Sequence, residues 1–396
     1  MKLLAFWNAS NQRGDAPSRR LVGLRRAWLN IHLWIGLGLA VLLIPISLSG
    51  ALLVWDDHVD ALMNPERYAV TPGPAQPASV MLASASTALG RGFEPAVVRM
   101  PESAGWPATV MAREQRRGEV GGRPRLVTVY LDPATGRVLG QSEFRNSLVG
   151  FMHRFHENLT IPEYSGRAVV GWVGVGMLVL SLSGIYLWWP RNAGFLRGLR
   201  WRRGPATSFN LHHLFGFWIS IPLAVVSATG IYLGFPQQAR ELLSSVAPMT
   251  QQQRGGFNAP LLTSPHIDID RATEIATSGA AGSRPAAIFL PAQQNQLWRI
   301  QLRNPDSDVL NTVTVDDRSG ALTKVVPQSG DSIAQWIRWI HEGSHSGVFW
   351  QFLVFLCGVL PTVFAVTGTM IWLRSRKAKK MAARDFAVAP QLDAAE

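Results

Sequence analysis

Four of the nine histidines in this chain stand at matched places. His32 and His212 lie 180 residues apart inside one recurring string, Asn30-Ile31-His32 with Gly36 and Asn210-Leu211-His212 with Gly216. His156 and His341 each precede a glutamate, in Phe155-His156-Glu157 and Ile340-His341-Glu342. A neutral imidazole is the commonest side-chain metal ligand. The only cysteine is Cys357. An intrachain disulfide, a thiolate zinc cluster and Cys-x-x-Cys-His haem attachment are therefore excluded. Any metal centre must use histidine or carboxylate.

Two neutral imidazoles on facing helices, presented across a bundle interior, form the ligand set of a b-type haem. The haem face is flat and apolar, so small residues must lie beside the ligands. Gly36 stands four residues after His32, and Gly216 four after His212. That spacing puts each glycine one turn along on its histidine's face. Gly184 and Gly368 fall near the same depth on other apolar stretches, and Gly50 and Gly230 near the opposite depth. Close helix packing in membranes asks for the same glycines, so they fit both roles. The second pair has alternatives: His153 lies three residues before His156, and His345 four after His341. His213 directly follows His212. Glu157 and Glu342 either orient an imidazole or are solvated. A zinc-hydrolase reading starts from His-Glu-x-x-His on a helix. The string His341-Glu342-Gly343-Ser344-His345 invites it, but Gly343, Ser344 and Gly347 weaken a helix there, and hydrolysis is not expected.

Four apolar windows must position these residues: about His32–Trp55, Ala168–Trp189, Leu211–Phe235 and Val348–Leu373. None contains Lys, Arg, Asp or Glu, and each is long enough to cross a bilayer, which needs roughly 20 apolar residues. Arg13, Arg19, Arg20, Arg25 and Arg26 precede the first window. Arg191, Arg197, Arg200, Arg202 and Arg203 fill the loop between the second and third. Arg374, Arg376, Lys377, Lys379 and Lys380 follow the fourth. The positive-inside rule places both termini and this middle loop in the cytoplasm of a bacterial inner membrane, with lipid as the first partner. The net charge of +12 is thereby explained as topology, and no nucleic-acid partner is expected.

The two halves repeat. Ser47/Ser227 and Gly50/Gly230 keep the 180-residue offset, and Thr128–Gly136 pairs with Thr312–Gly320. The expected fold is an α-helical integral membrane protein: a four-helix transmembrane bundle with internal duplication, plus two small α+β periplasmic domains. Residues 1–30 form a basic cytoplasmic N-terminus and 31–55 the first span. Residues 56–150 form the first outer domain, and 151–190 a histidine segment and the second span. Residues 191–209 are the basic loop, 210–235 the third span and 236–335 the second outer domain. Residues 336–373 hold the other histidine segment and the fourth span, and 374–396 the cytoplasmic tail. The first outer domain opens with a helix at Ala78–Leu89 and closes with a hairpin, Leu126–Leu131 turning at Asp132–Gly136 into Arg137–Leu139. The second has a helix at Arg271–Ser278, strands near Ala287–Leu290 and Leu297–Leu302, and a hairpin at Thr312–Leu322.

The order of these elements resembles the PepSY-associated transmembrane family over about residues 25–375. The Asn-x-His-x-x-x-Gly strings, the two hairpins, the His-Glu segments and the ending Ser181–Trp189 carry the resemblance. It implies PepSY-like outer domains and similarity to di-haem ferric-siderophore reductases of the inner membrane. Such proteins pass electrons from a cytoplasmic donor to a ferric siderophore or other periplasmic acceptor. Carried over, the resemblance makes His32 and His212 the inner ligands and His156 and His341 the outer ligands of two bis-histidine haems b. His153 and His345 depart from a clean pattern. The donor is a separate, unidentified partner, because no flavodoxin- or ferredoxin-reductase-like segment is present. The alternative is a non-enzymatic scaffold whose outer domains bind a peptide, a peptidase or a cell-wall partner. A transporter would need broken helices at mid-membrane with polar groups between them. Pro45, Pro222 and Pro361 fall within spans without a charged companion.

Overall fold

The computed structural model describes residues 19–115, 124–190, 195–200, 204–249, 259–280, 282–304, 310–325 and 328–392. Of the expected topology determinants, Arg13, Arg191, Arg202 and Arg203 lie outside these residues. The chain forms two compact units. One comprises Met1–Val54, Phe155–Ala239 and Ile337–Glu396, and the other Trp55–Arg154 and Arg240–Trp336.

The first unit is built on four long helices: α1 (Arg19–Leu53), α5 (Gly166–Trp188), α6 (Thr207–Gly234) and α10 (Gly347–Leu392). Their apolar stretches Val22–Leu53, Gly166–Trp188, Thr207–Gly234 and Gly347–Ala383 are long enough to cross a membrane. Away from water, only a helix satisfies every backbone group within one such segment. Helix α1 packs against α5 and α10, and α6 packs against the same two, closing a ring of four. Leu43, Ile46, Val173, Met177, Ile219, Leu223 and Cys357 fill its interior. A Cβ on Gly358 would sit 2.6 Å from the Ala51 Cβ, so α10 and α1 approach backbone to backbone there. Two boundaries differ from expectation. Helix α1 begins in the basic leader, and α10 runs through the expected tail. The Lys-, Arg- and Ala-rich stretches flanking the apolar cores favour helix, and they extend it beyond those cores.

The second unit is an eight-stranded antiparallel sheet with helices against it. Its elements, in chain order, are α2 (Asp56–Met63), α3 (Ala78–Leu89), β1 (Phe93–Arg99), β2 (Ala108–Glu114), β3 (Leu126–Leu131) and β4 (Val138–Glu143). The histidine-bearing helix α4 (Leu148–Asn158) follows. After the second span pair come α7 (Pro236–Ser244), α8 (Ile269–Ser278), β5 (Arg284–Phe289), β6 (Leu297–Arg303), β7 (Leu310–Asp316), β8 (Leu322–Lys324) and α9 (Ser329–Glu342). Helices α4 and α9 run on into the first unit.

The strand order is β4-β3-β2-β1-β5-β6-β7-β8. Both expected hairpins and the helices near 78–89 and 271–278 are present. The two modules, expected as separate domains, instead share one sheet and one core. β1 pairs with β5, Val98 opposite Ile288, which removes an open edge from each half. Met81, Val98, Val129, Ile288, Trp298 and Ile300 belong to the common core. Asp270, in the first turn of α8, accepts hydrogen bonds from the amide and hydroxyl of Ser79 in α3.

Two fully buried carboxylates pin the hairpins. Asp132 accepts from the Thr71 amide and hydroxyl and from Thr135. In the second hairpin the work is divided. Asp316 serves the turn, and Asp317 accepts from the amides of His266 and Ile267 and from Trp298 Nε1. Burial alone would raise the Asp317 pKa, but these hydrogen bonds to the ionised form outweigh it and hold the group below the usual carboxylate range.

Candidate functional site

The first unit brings the four matched histidines together as two pairs. The His32 and His212 rings, from α1 and α6, have centroids 6.3 Å apart. The His156 and His341 rings, from the ends of α4 and α9, have centroids 6.2 Å apart. His156 lies against Gly50 and His341 against Gly230. Gly50 is 18 residues beyond His32 on α1, an axial separation of about 27 Å. The pairs therefore stand at opposite ends of the bundle.

Every one of the four rings is held by Nδ1. In the second pair, His156 Nδ1 is 2.8 Å from the Ile46 carbonyl and His341 Nδ1 is 3.0 Å from the Val226 carbonyl. A carbonyl only accepts, so both nitrogens carry the proton and donate it. In the first pair, His32 Nδ1 is 2.8 Å from Ser183 Oγ and His212 Nδ1 is 3.0 Å from Thr367 Oγ1. Those hydroxyls give their own protons to the carbonyls of Val179 and Val363, so they too accept from the imidazoles. All four rings thus carry a proton on Nδ1, which leaves Nε2 as the ligating nitrogen of the neutral ring.

Burial first, and then the facing His156, push His341 down to about 4, so this ring is neutral at physiological pH.

Ring spacing tests what the pairs can hold. An imidazole nitrogen lies roughly 1 Å from its ring centre, and an imidazole–metal bond is about 2 Å. Two rings on opposite sides of one iron therefore have centres about 6 Å apart, which is the separation found at both ends. Among the described residues no three His, Cys, Asp or Glu side chains group to hold an ion. The pairs are therefore two-ligand sets, suited to a metal whose other positions are filled by a macrocycle.

The glycines divide by role. A Cβ on Gly50 would sit 2.6 Å from His156 Cε1, and one on Gly230 would sit 2.9 Å from His341 Cε1. These two positions admit the second pair's rings. Gly184 and Gly368 lie beside His32 and His212 at 3.6 and 3.4 Å, ordinary contact. Gly36 and Gly216 do not touch the histidines. A Cβ on Gly216 would meet nothing within 4 Å, and one on Gly36 only a methyl of Leu180 at 3.7 Å.

The alternative ligands point elsewhere. His153 Nε2 is 3.4 Å from Asp56, and its ring packs on Phe144. His213 stacks on Phe209. His345 packs on Trp339, 4.6 Å between centroids. The string from His341 to His345 matches the zinc-protease spelling in full. However, α9 ends at Glu342, and Gly343 and His345 have φ of +79° and +55°. The two rings therefore do not share a helical face. Glu342 reaches Arg338, and Glu157 pairs with Arg167.

Ser183, Thr367 and the carbonyls of Ile46 and Val226 are hydrogen-bond partners of the four rings that the sequence reasoning missed. One signal was available: Ser183-Gly184 and Thr367-Gly368 are a hydroxyl–glycine pair repeated at matching places.

A comparison with curated proteins finds none that matches. The model of the PepSY-associated TM region matches residues 29–375, which reaches into all four spans and takes in both histidine pairs and the whole sheet. The chain therefore belongs to the PepSY-associated TM region family and is a multi-pass helical membrane protein.

Proposed function

We propose that this protein is a haem-b oxidoreductase of the bacterial inner membrane. In this reading it carries electrons from a cytoplasmic donor to a periplasmic acceptor, a ferric siderophore by resemblance. The observation that carries the reading is the pair geometry: two pairs of imidazoles, each ring with Nδ1–H engaged and each pair with ring centres spaced for one iron. His32 and His212 would hold one haem, and His156 and His341 the other. When bound, the two haems supply a one-electron couple at each end of the bundle.

The chain's own residues orient, insulate and separate. Ser183, Thr367 and the Ile46 and Val226 carbonyls fix the ring tautomers and raise ligand basicity. Leu43, Val173, Met177, Ile219 and Leu223 keep water from the space between the pairs. Neutral histidines need no proton to leave on ligation. At the acceptor, one electron converts Fe(III) to Fe(II), which binds hard oxygen ligands less strongly and is released.

The basic flanks favour cytoplasmic termini, which puts the first pair at the cytoplasmic end and the sheet unit in the periplasm. The mirrored strand order and the matched Nδ1 acceptors favour an internal duplication, each half supplying one histidine to each pair.

The test is the absorption spectrum of the purified protein, oxidised and then dithionite-reduced, with a pyridine haemochrome assay. The expected result is about two haems b per chain, with His32→Ala and His341→Ala each removing one. A protein that stays colourless after expression with added haem would sink the reading.

A further inference from the structure

Helix α2 is turned inside out for a helix in water. Asp60 is buried and accepts hydrogen bonds from Asn64, Arg67, Tyr68 and Tyr130. Two residues on, across the helix, Leu62 is 82% exposed. Leu242, 180 residues later and at the end of α7, is 71% exposed. Helix α2 begins three residues after span helix α1 ends, and α7 two residues after α6 ends.

The helices leading into the other two spans show the same pattern. Leu148 and Phe151 of α4 are exposed, as are Ile333 and Trp336 of α9. The residues of each couple are three apart, on one helical face. The two couples correspond at an offset of 185. All six residues belong to the sheet unit. Each of the four passages between that unit and a span thus carries an exposed apolar side chain, none more than 18 residues from the span.

We propose that these six side chains enter the headgroup region of the adjoining lipid leaflet and moor the sheet unit to the membrane surface. Lipid is the fitting partner because every one of the positions is tethered to a membrane span by a short length of chain. Short helices with one apolar and one charged face, and aromatic residues such as Phe and Trp, are what the interface selects. The proposal is independent of haem binding.

The test uses the full chain in vesicles of phosphatidylethanolamine and phosphatidylglycerol. Cys357→Ala removes the native thiol. Single cysteines at Leu62, Leu242, Leu148 and Ile333, and at exposed Ser86 of α3 as the aqueous reference, carry a nitroxide. Power saturation then compares collision with oxygen, enriched in lipid, and with a neutral nickel chelate, enriched in water. The expected oxygen-to-nickel ratio at the four apolar sites is several-fold above that at Ser86. Ratios equal to that at Ser86 would overturn the proposal by placing the sites in water. Protection from both reagents would overturn it in favour of a protein cover, such as a second copy of the chain.

Discussion

The two histidine pairs have nearly the same ring spacing and the same engaged nitrogen, Nδ1, yet they are held by different means. His32 and His212 rest on hydroxyls of neighbouring helices, from Ser183 and Thr367. His156 and His341 rest on main-chain carbonyls, reached because Gly50 and Gly230 leave the helix surface bare beside them. The first pair is therefore orientated chiefly by side chains that mutation can delete, with the Phe364 main chain as a second partner of His212, and the second by backbone and by space. A hydroxyl that has given its proton to a carbonyl is a polarised acceptor, so the two arrangements reach the same tautomer by separate routes. What one pair loses to a hydroxyl deletion, the other loses to an added methyl group.

The largest expected effect follows from the space. In Gly50→Ala the new methyl would stand 2.6 Å from His156 Cε1, and in Gly230→Ala 2.9 Å from His341 Cε1. Neither ring can stay seated, because the contact is with the ring body and not with a flexible tip. Each variant is expected to fall from two haems per chain to one in a haemochrome assay, keeping the first site. Gly184→Ala and Gly368→Ala, at 3.6 and 3.4 Å from the first pair's rings, keep both. Two haems in Gly50→Ala would mean that the second site does not use His156 in this seat.

The contrast also explains what the sequence disclosed. The four spans were legible because uncharged apolar runs of this length have few other fates. The histidine pairs were legible because the chain says them twice. Gly50 and Gly230 were visible as repeated glycines, but their task depends on rings from α4 and α9 that meet them only in the fold. Spacing left His153 and His156 equivalent, and it is the rotation of α4 that separates them. The single eight-stranded sheet was hidden for another reason. Its central β1–β5 contact joins Val98 to Ile288, and neither strand's local pattern names its partner.

Deleting a hydroxyl is the next effect in size. Ser183→Ala removes the hydroxyl that accepts from His32 Nδ1, whereas Thr367→Val removes that of His212 but leaves the Phe364 carbonyl as a partner of the ring, so the larger loss is expected in Ser183→Ala. Loss of such a partner weakens a metal site by about 10–100-fold. The less basic imidazole also stabilises the oxidised iron less, so the midpoint potential of that site rises. Haem titration of apoprotein and a redox titration check both effects, and neither should move the second site. The matching changes there, Ser49→Ala and Thr229→Val, take away contacts of 3.5 and 3.2 Å but leave the carbonyls in place. Their effect should be clearly smaller, and an equal one would show that the second pair also depends on side chains.

The smallest effect is expected at the spare histidines. His153 is directed at Asp56 and Phe144, and His345 at Trp339. His345 has φ of +55°, a conformation that asparagine tolerates better than alanine, so His345→Asn removes the imidazole without added backbone strain. His153→Ala is simpler, since that residue lies within helix α4. Both variants should retain two haems with unchanged α bands and potentials, whereas His156→Ala, three residues along the same helix, loses one. A haem lost from His153→Ala would reverse the assignment of α4. It would require that helix to turn by about 60° and to shift by about 4.5 Å along its axis, and the bare surface at Gly50 would then be unexplained.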